Sequence, residues 1–260
     1  MSTFLFDSII FGPVHSRRLG NSLGVNLLPI TKKYCNFNCL YCECGWSNLR
    51  KITIVDLPTR YSIREALEIK LADMKLEGKS PDVITFAGNG EPTLHPDFPE
   101  IIDDIIAIRN QYYPDIKIAV LTNSTTINKK GIASALTKVD QCILKLDSVI
   151  PETFNTLNCP VQGTDLNSVI LNLIHFPGKK IIQTLFLRGS MGGVSVDNTT
   201  PVELNGLIEA YLKIVPESIM IYTFERDTPA NGLLKVPAQE LEVIQMKIER
   251  TGINVQLTRE

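Results

Sequence analysis

The 260-residue chain has no long apolar run. Nothing in it approaches the roughly 18 consecutive apolar residues that span a bilayer, so no membrane span is expected. The opening, MSTFLFDSIIFGP, lacks the basic segment, extended apolar stretch and small-residue cleavage site of a secretory leader, and the expected location is cytoplasmic. An excess of charge is missing too. The formal net charge is −2, which excludes a global attraction to nucleic acid or to an anionic membrane. Low-complexity segments, short repeats and long linkers are absent, so the length suits one domain. One deficit is local. No carboxylate lies between Asp7 and Glu43, whereas His15, Arg17, Arg18, Lys32 and Lys33 all do. A basic patch beside the nearby cysteines is one expectation, and a solvated loop with incidental charges is the other.

Short apolar runs, rich in β-branched residues, alternate with helical patterns. Residues 24–28, 83–87, 116–122, 141–146, 181–187 and 218–223 read as buried parallel strands. Residues 63–76, 98–110, 129–136, 166–175, 202–214 and 238–250 read as helices. Ser62 is the expected N-cap of the first, and Pro237 and Gly252 bracket the last. Six strand–helix units imply a parallel sheet with right-handed crossovers, either doubly wound or curled into an open barrel. In both, functional groups gather at the carboxyl ends of the strands.

Six cysteines in a chain without a secretion leader favour metal binding or catalysis over disulfides. Cys35, Cys39 and Cys42 form C-x-x-x-C-x-x-C directly after the first strand. Three thiolates in one loop can ligate three irons of a cubane cluster and leave the fourth open, the usual mark of a catalytic centre. Zinc held by four sulfurs, with Cys44 as the fourth, is a competing reading, and buried inert thiols are another. Trp46 is expected to pack over this loop. Cys142 is expected to be a buried strand thiol, and Cys159 and His175 carry no assigned role.

The string CNFNCLYC, with Tyr41 before the third cysteine, resembles the signature of the radical S-adenosylmethionine (SAM) superfamily. Gly88-Asn89-Gly90-Glu91-Pro92, after the second strand, is similar to that superfamily's Gly-Gly-Glu motif, with Asn89 interrupting the glycine pair. The resemblance implies a [4Fe–4S] cluster on Cys35, Cys39 and Cys42, with SAM chelating the open iron. It implies SAM contacts from Tyr41, Gly88, Asn89, Gly90 and Glu91, and from the later strand ends at Asn123, Lys145, Asp147, Arg188 and Tyr222, each of which otherwise reads as a helix cap or strand terminus. His95 reads either as a helix cap or as a catalytic group. The expected fold class is α/β, a single-domain partial (β/α)6 barrel with parallel strands. The radical SAM domain would take residues 1–260, with a core of about 20–226, an N-terminal extension 1–19 and a C-terminal helix and strand 227–260.

The implied activity is cleavage of SAM to a 5′-deoxyadenosyl radical that abstracts hydrogen from a substrate, fed by a low-potential flavodoxin- or ferredoxin-type donor. The opening from Phe11 to Gly20 resembles more closely the branch that holds the wyosine-base synthases of transfer RNA, so RNA is one candidate substrate. The second cluster of those synthases has no counterpart here, since no cysteine precedes Cys35. Arg17 and Arg18 are candidate substrate or phosphate contacts, because guanidinium forks match phosphate geometry. The alternatives are an activase of glycyl-radical enzymes and a non-catalytic iron–sulfur or zinc-binding module.

Overall fold

The computed structural model describes residues 4–47 and 57–258. Its strands are β1 (Ile10–Ser16), β2 (Gly20–Val25), β3 (Val83–Phe86), β4 (Lys117–Thr122), β5 (Gln141–Lys145), β6 (Ile181–Leu185), β7 (Leu187–Met191), β8 (Val194–Asp197), β9 (Ser218–Tyr222), β10 (Leu233–Lys235) and β11 (Val255–Leu257). Its helices are α1 (Arg60–Leu76), α2 (Phe98–Tyr112), α3 (Lys130–Leu136), α4 (Pro151–Asn158), α5 (Leu166–His175), α6 (Pro201–Ile214) and α7 (Ala238–Glu249).

Strand order decides between the two architectures left open by the sequence. The main sheet runs β1-β2-β3-β4-β5-β6-β9-β11. From β2 onward every pairing is parallel. A doubly wound sheet reverses its order at a switch point. This order never reverses, and the sheet curls into an open barrel, as expected. The six expected strands are its consecutive members. β11 extends the parallel run at one edge, and β1 adds an antiparallel strand at the other, inside the segment expected to be an extension. β7, β8 and β10 form a separate small sheet.

Alternation sorts the strand residues onto two faces. Leu23, Ile84, Phe86, Ile118, Val120, Leu144, Ile182 and Ile219 pack in the large core with helix residues such as Leu67, Ile105 and Leu173. Fully burying each such side chain contributes roughly 1.5–3 kcal/mol. Cys142 sits on that face, and burial pushes its thiol up to about 12. On the opposite face Val83, Ala119, Ile143, Ile181 and Met220 form a smaller apolar layer. On four of these strands the next residue along that face toward the carboxyl end is polar, Thr85, Lys145, Gln183 and Tyr222, and on β4 it is Leu121.

Two boundaries differ from expectation for local reasons. β2 ends at Val25 instead of running to residue 28. The Asn26 side chain bonds Leu28 on both sides, donating to its carbonyl at 3.0 Å and accepting from its N–H at 3.2 Å, and this turns the chain off the ladder. α1 starts at Arg60 because Thr59, rather than Ser62, is the N-cap. Thr59 Oγ1 accepts from Ser62 N at 3.1 Å.

Candidate functional site

The cysteine loop is attached to the second motif through the backbone. Tyr34 N donates to Asn89 O at 2.8 Å, Glu91 N donates to Tyr34 O at 3.0 Å, and Tyr34 and Gly90 form a parallel bridge. Gly90 has φ +142°, and an added Cβ would land on the Tyr34 carbonyl. The position therefore demands glycine on two counts. Gly90→Ala is expected to cost roughly 1–3 kcal/mol, read as a fall in thermal midpoint, and to lower iron uptake on reconstitution. An unchanged melt with full iron content would show that the bridge is dispensable.

Each of the first two thiols receives N–H donors. Phe37 N lies 3.4 Å and Asn123 Nδ2 3.8 Å from Cys35 Sγ, and Asn158 Nδ2 lies 3.4 Å from Cys39 Sγ. Burial pushes both thiols up. Lys33 is only 3% exposed and its ammonium donates to Gly45 O at 2.9 Å. Burial alone would lower its pKa, but the Cys42, Cys35 and Cys39 sulfurs more than offset that and hold it raised. Of the basic residues expected near the cysteines, Lys33 is thus drawn in among them, because a cation surrounded by three sulfurs is more stable inside than a lone buried ammonium. Cys42 is held down to about 5, first by a hydrogen bond from Cys44, against the cost of burial, and then by Lys33. Cys44 is pushed up as the donor of that bond, and it also reaches Gly88 O at 3.5 Å. Trp46 is half exposed.

This environment fits an iron–sulfur cluster. N–H groups and a cation aimed at sulfur are what thiolate-ligated clusters use for tuning. Among the described residues no three His, Cys, Asp or Glu side chains converge as one ion would need. The depressed Cys42 thiol gives a direct check. In metal-free protein the Cys42 thiolate persists above pH about 5 and is lost below it, so iodoacetamide should modify Cys42 before Cys35 and Cys39 at pH 7. The rate should fall as the pH drops through about 5. Peptide mapping that found Cys35 or Cys39 modified first would contradict the arrangement.

Behind the loop lies a buried network centred on Asp147. Its Oδ2 accepts from Tyr41 OH at 2.5 Å and Asn158 Nδ2 at 2.8 Å, and its Oδ1 from Leu185 N at 2.9 Å with Lys145 Nζ at 3.2 Å. Lys145 Nζ also donates to Tyr222 OH at 3.2 Å and sits 4.9 Å from the Tyr41 ring centre. Burial would lower the Lys145 pKa, but Asp147 raises it above its usual value, so the ammonium is permanent. Glu91 is equally committed. It accepts from Thr93 N, Thr93 Oγ1, Thr122 Oγ1 and Asn123 N at 3.1, 2.5, 2.7 and 2.6 Å. Burial pushes its carboxyl up, and these bonds oppose the shift.

The structure brings Cys35, Cys39, Cys42, Tyr41, Gly90, Glu91, Asn123, Lys145, Asp147 and Tyr222 to the carboxyl ends of β2 to β9. A cleft of about 640 Å³ opens there between residues 14–18, 41–43 and 222–226. The other expected residues have different surroundings. The Asn89 side chain is spent on the backbone, accepting from Phe6 N and donating to Phe6 O and Pro29 O; this gives the interrupted glycine pair its reason. Gly88 packs against the Asn26 side chain. Arg188 lies on β7 and donates to Thr199 Oγ1 and Glu240 Oε2, both at 2.6 Å, away from the cleft. Arg17 pairs with Glu225, whereas the Arg18 guanidinium stacks 4.4 Å from the Tyr222 ring centre. His95 is tied to Pro58 O and Asp97 N, as a capping residue would be. Asn158 is a functional neighbour that sequence reasoning missed, since it lies 119 residues from Cys39 on α4, a helix not anticipated. Lys33 was expected only as one of a basic group near the cysteines, without a buried role.

Residues 30–179 match the family model described as the radical SAM superfamily. A GTPase Obg of Brachyspira hyodysenteriae is 31% identical over 237 residues, covering 90% of this chain and 32% of that protein. A UPF0026 protein of Helicobacter pylori (strain J99) is 32% identical over 188 residues, covering 70% of this chain and 57% of its own length. The chain thus spans 32% and 57% of the lengths of these two relatives. Among solved structures, Streptococcus suis SuiB bound to S-adenosylmethionine shares the fold with a TM-score of 0.61 at 17% identity, covering 92% of this chain and 52% of that one.

Proposed function

Since the chain belongs to the radical SAM superfamily, whose cofactors are a [4Fe–4S] cluster and SAM, we propose that Cys35, Cys39 and Cys42 hold the cluster and that the adjoining cleft is where a substrate loses a hydrogen atom. When bound, the two cofactors supply reductive cleavage of SAM to methionine and a 5′-deoxyadenosyl radical.

The residues of this chain bind, orient and shield. Phe37 N–H and the Asn123 and Asn158 amides direct donors at the cysteine sulfurs, and Lys33 offsets the negative charge that collects on them. Tyr41 and Tyr222 line the cleft with Lys145 behind them, and with the backbone around Gly88 and Gly90 they are the SAM contacts of this reading. Asn89, Glu91, Asn123 and Asp147 hold those groups in place through the bonds described above. The apolar layer beneath Lys145 keeps water from entering from the other end of the barrel. Arg17 and Arg18 stand on the substrate side, where a phosphate-bearing substrate fits them. The likeness of the opening residues to the wyosine-base branch supports RNA within that class. The electron arrives from a low-potential flavodoxin- or ferredoxin-type donor, in the cytoplasm.

The observation that carries this reading is a loop of three thiols, served by N–H donors and one buried ammonium, locked by its backbone to the Glu91 turn at the mouth of a barrel. Anaerobic reconstitution with iron and sulfide, then dithionite and SAM, is the test. The expected result is 5′-deoxyadenosine. Its absence from wild-type protein with a full cluster would remove the catalytic claim.

A further inference from the structure

One polar layer inside the barrel is only partly used by these assignments, which leave its Gln183 without a role. Lys145, Gln183 and Tyr222 project from β5, β6 and β9, with Lys145 directly paired to Gln183 in the sheet register. Lys145 Nζ donates to Tyr222 OH at 3.2 Å, and that hydroxyl donates onward to Gln183 Oε1 at 3.5 Å. The relay fixes the amide orientation: a hydroxyl that accepts from an ammonium has its proton free for the carbonyl end. The other end, Gln183 Nε2, is buried without a partner on a residue only 5% exposed. Arg18 stacks on the same Tyr222 ring, and its Nη1 is likewise buried without a partner. Buried polar groups in native structures are nearly always satisfied. Arg18 and Tyr222 line the cleft and Gln183 lies behind Tyr222, so two unmet donors beside one tyrosine are a local shortage of acceptors.

The charge points the same way. The Lys145 ammonium is balanced by Asp147, whereas the hydrogen bonds and ion pairs of the described residues give Arg18 no carboxylate. What would satisfy the layer is a group that only accepts and carries negative charge. We infer that the cleft takes a substrate through an oxyanion, a carboxylate or a phosphate, gripped between Arg18 Nη1 and Gln183 Nε2 with Tyr222 between them. Arg18 supplies the fork geometry that such groups match, and Gln183 makes the site a recognition point rather than a diffuse positive surface. This rests on the reading that the radical reaction takes place in this cleft, and it separates Arg18 from Arg17, which Glu225 already engages.

Inorganic phosphate and acetate, titrated calorimetrically into the cluster-reconstituted, SAM-saturated full chain, test it. Binding in the millimolar range is expected for at least one anion. Arg18→Gln and Gln183→Glu should each weaken it at least tenfold. The second keeps the side-chain shape and places a negative charge where the anion belongs, so a loss there is not a packing defect. Tighter phosphate binding identifies a phosphate ester, and tighter acetate binding a carboxylate. SAM affinity, followed by perturbation of the cluster's electron paramagnetic resonance signal, should not track these losses. Anion binding that is absent from wild type or indifferent to both substitutions overturns the inference, as does SAM affinity falling by the same factor, which would give the two donors to the SAM carboxylate. Wild type that binds phosphate but forms no 5′-deoxyadenosine would leave the oxyanion site standing and remove the radical reading alone.

Discussion

Protein carrying Cys39→Ala, reconstituted under the same anaerobic conditions as wild type, is expected to form no 5′-deoxyadenosine above background. The same holds for Cys35→Ala and Cys42→Ala. The reason is coordination arithmetic. Three thiolates leave one iron for the cofactor, and removing any one leaves two irons without protein ligands. Cys39 is the most instructive of the three, because it is buried and receives the Asn158 amide at 3.4 Å. Asn158→Ala should therefore give a graded version of the defect, a loss on the order of 10- to 100-fold in cluster retention, as removal of groups behind metal ligands typically does. Cys44→Ala is the contrast. It removes the hydrogen bond to Cys42 and leaves the ligand set whole, so a cluster should still assemble. Cluster content from iron and sulfide analysis, beside product formation, separates these cases. Full turnover by any of the three single-cysteine variants would rule out the assignment.

Asp147→Ala should produce the largest loss of stability in the protein. The carboxylate accepts from four groups, and all four are buried or nearly so. Removing it strands the Lys145 ammonium, whose side chain is 15% exposed, without its counter-ion. Breaking a buried pair from one side costs about 3–5 kcal/mol, because the remaining charge must be neutralised or solvated. For a chain of this size that corresponds to a fall of roughly 10 °C in thermal midpoint. Asp147→Asn keeps the shape and part of the hydrogen bonding but still strands Lys145, so it should recover only a fraction. Circular dichroism melts of the metal-free full chain read both. A drop below about 1 kcal/mol for the alanine variant would mean that the network is solvated and its bonds are worth no more than those at the surface.

The cysteine loop and the Gly-Asn-Gly-Glu turn were legible because their chemistry is written in short spacings, each at the end of a recognisable strand. The six parallel strands were legible for a similar reason, since buried strands are short apolar runs. β1 was not, because an edge strand needs only one partner and no apolar run, and β11 was located no more closely than a strand within residues 227–260. β1 includes Gly12, Pro13 and His15, and β11 is Val255–Leu257. Arg188 was placed at the end of the fifth barrel strand. That strand stops at Leu185, and the chain enters the β7–β8 hairpin, which takes Arg188 toward Glu240 on α7. Lys33 illustrates the deepest gap. Nothing in the run Thr31-Lys32-Lys33-Tyr34 distinguishes its two lysines. The difference is made by three sulfurs that only the folded loop gathers, so it belongs to tertiary electrostatics and leaves no local trace.

The bridge between Tyr34 and Gly90 has a consequence for how the molecule can vary. It is a separate parallel bridge, beyond the last rung of β2 and β3 and out of their register. The cysteine loop and the Glu91 turn are thus joined directly through the main chain. Main-chain bonds set their separation, and no side chain is interposed that a substitution could lengthen or shorten. Among the described residues, the rim at residues 14–18 and 222–226 has no main-chain bond to the cysteine loop and meets its end through the Arg226–Glu43 ion pair, so it is free to be rebuilt for a different guest without retiming the delivery of charge.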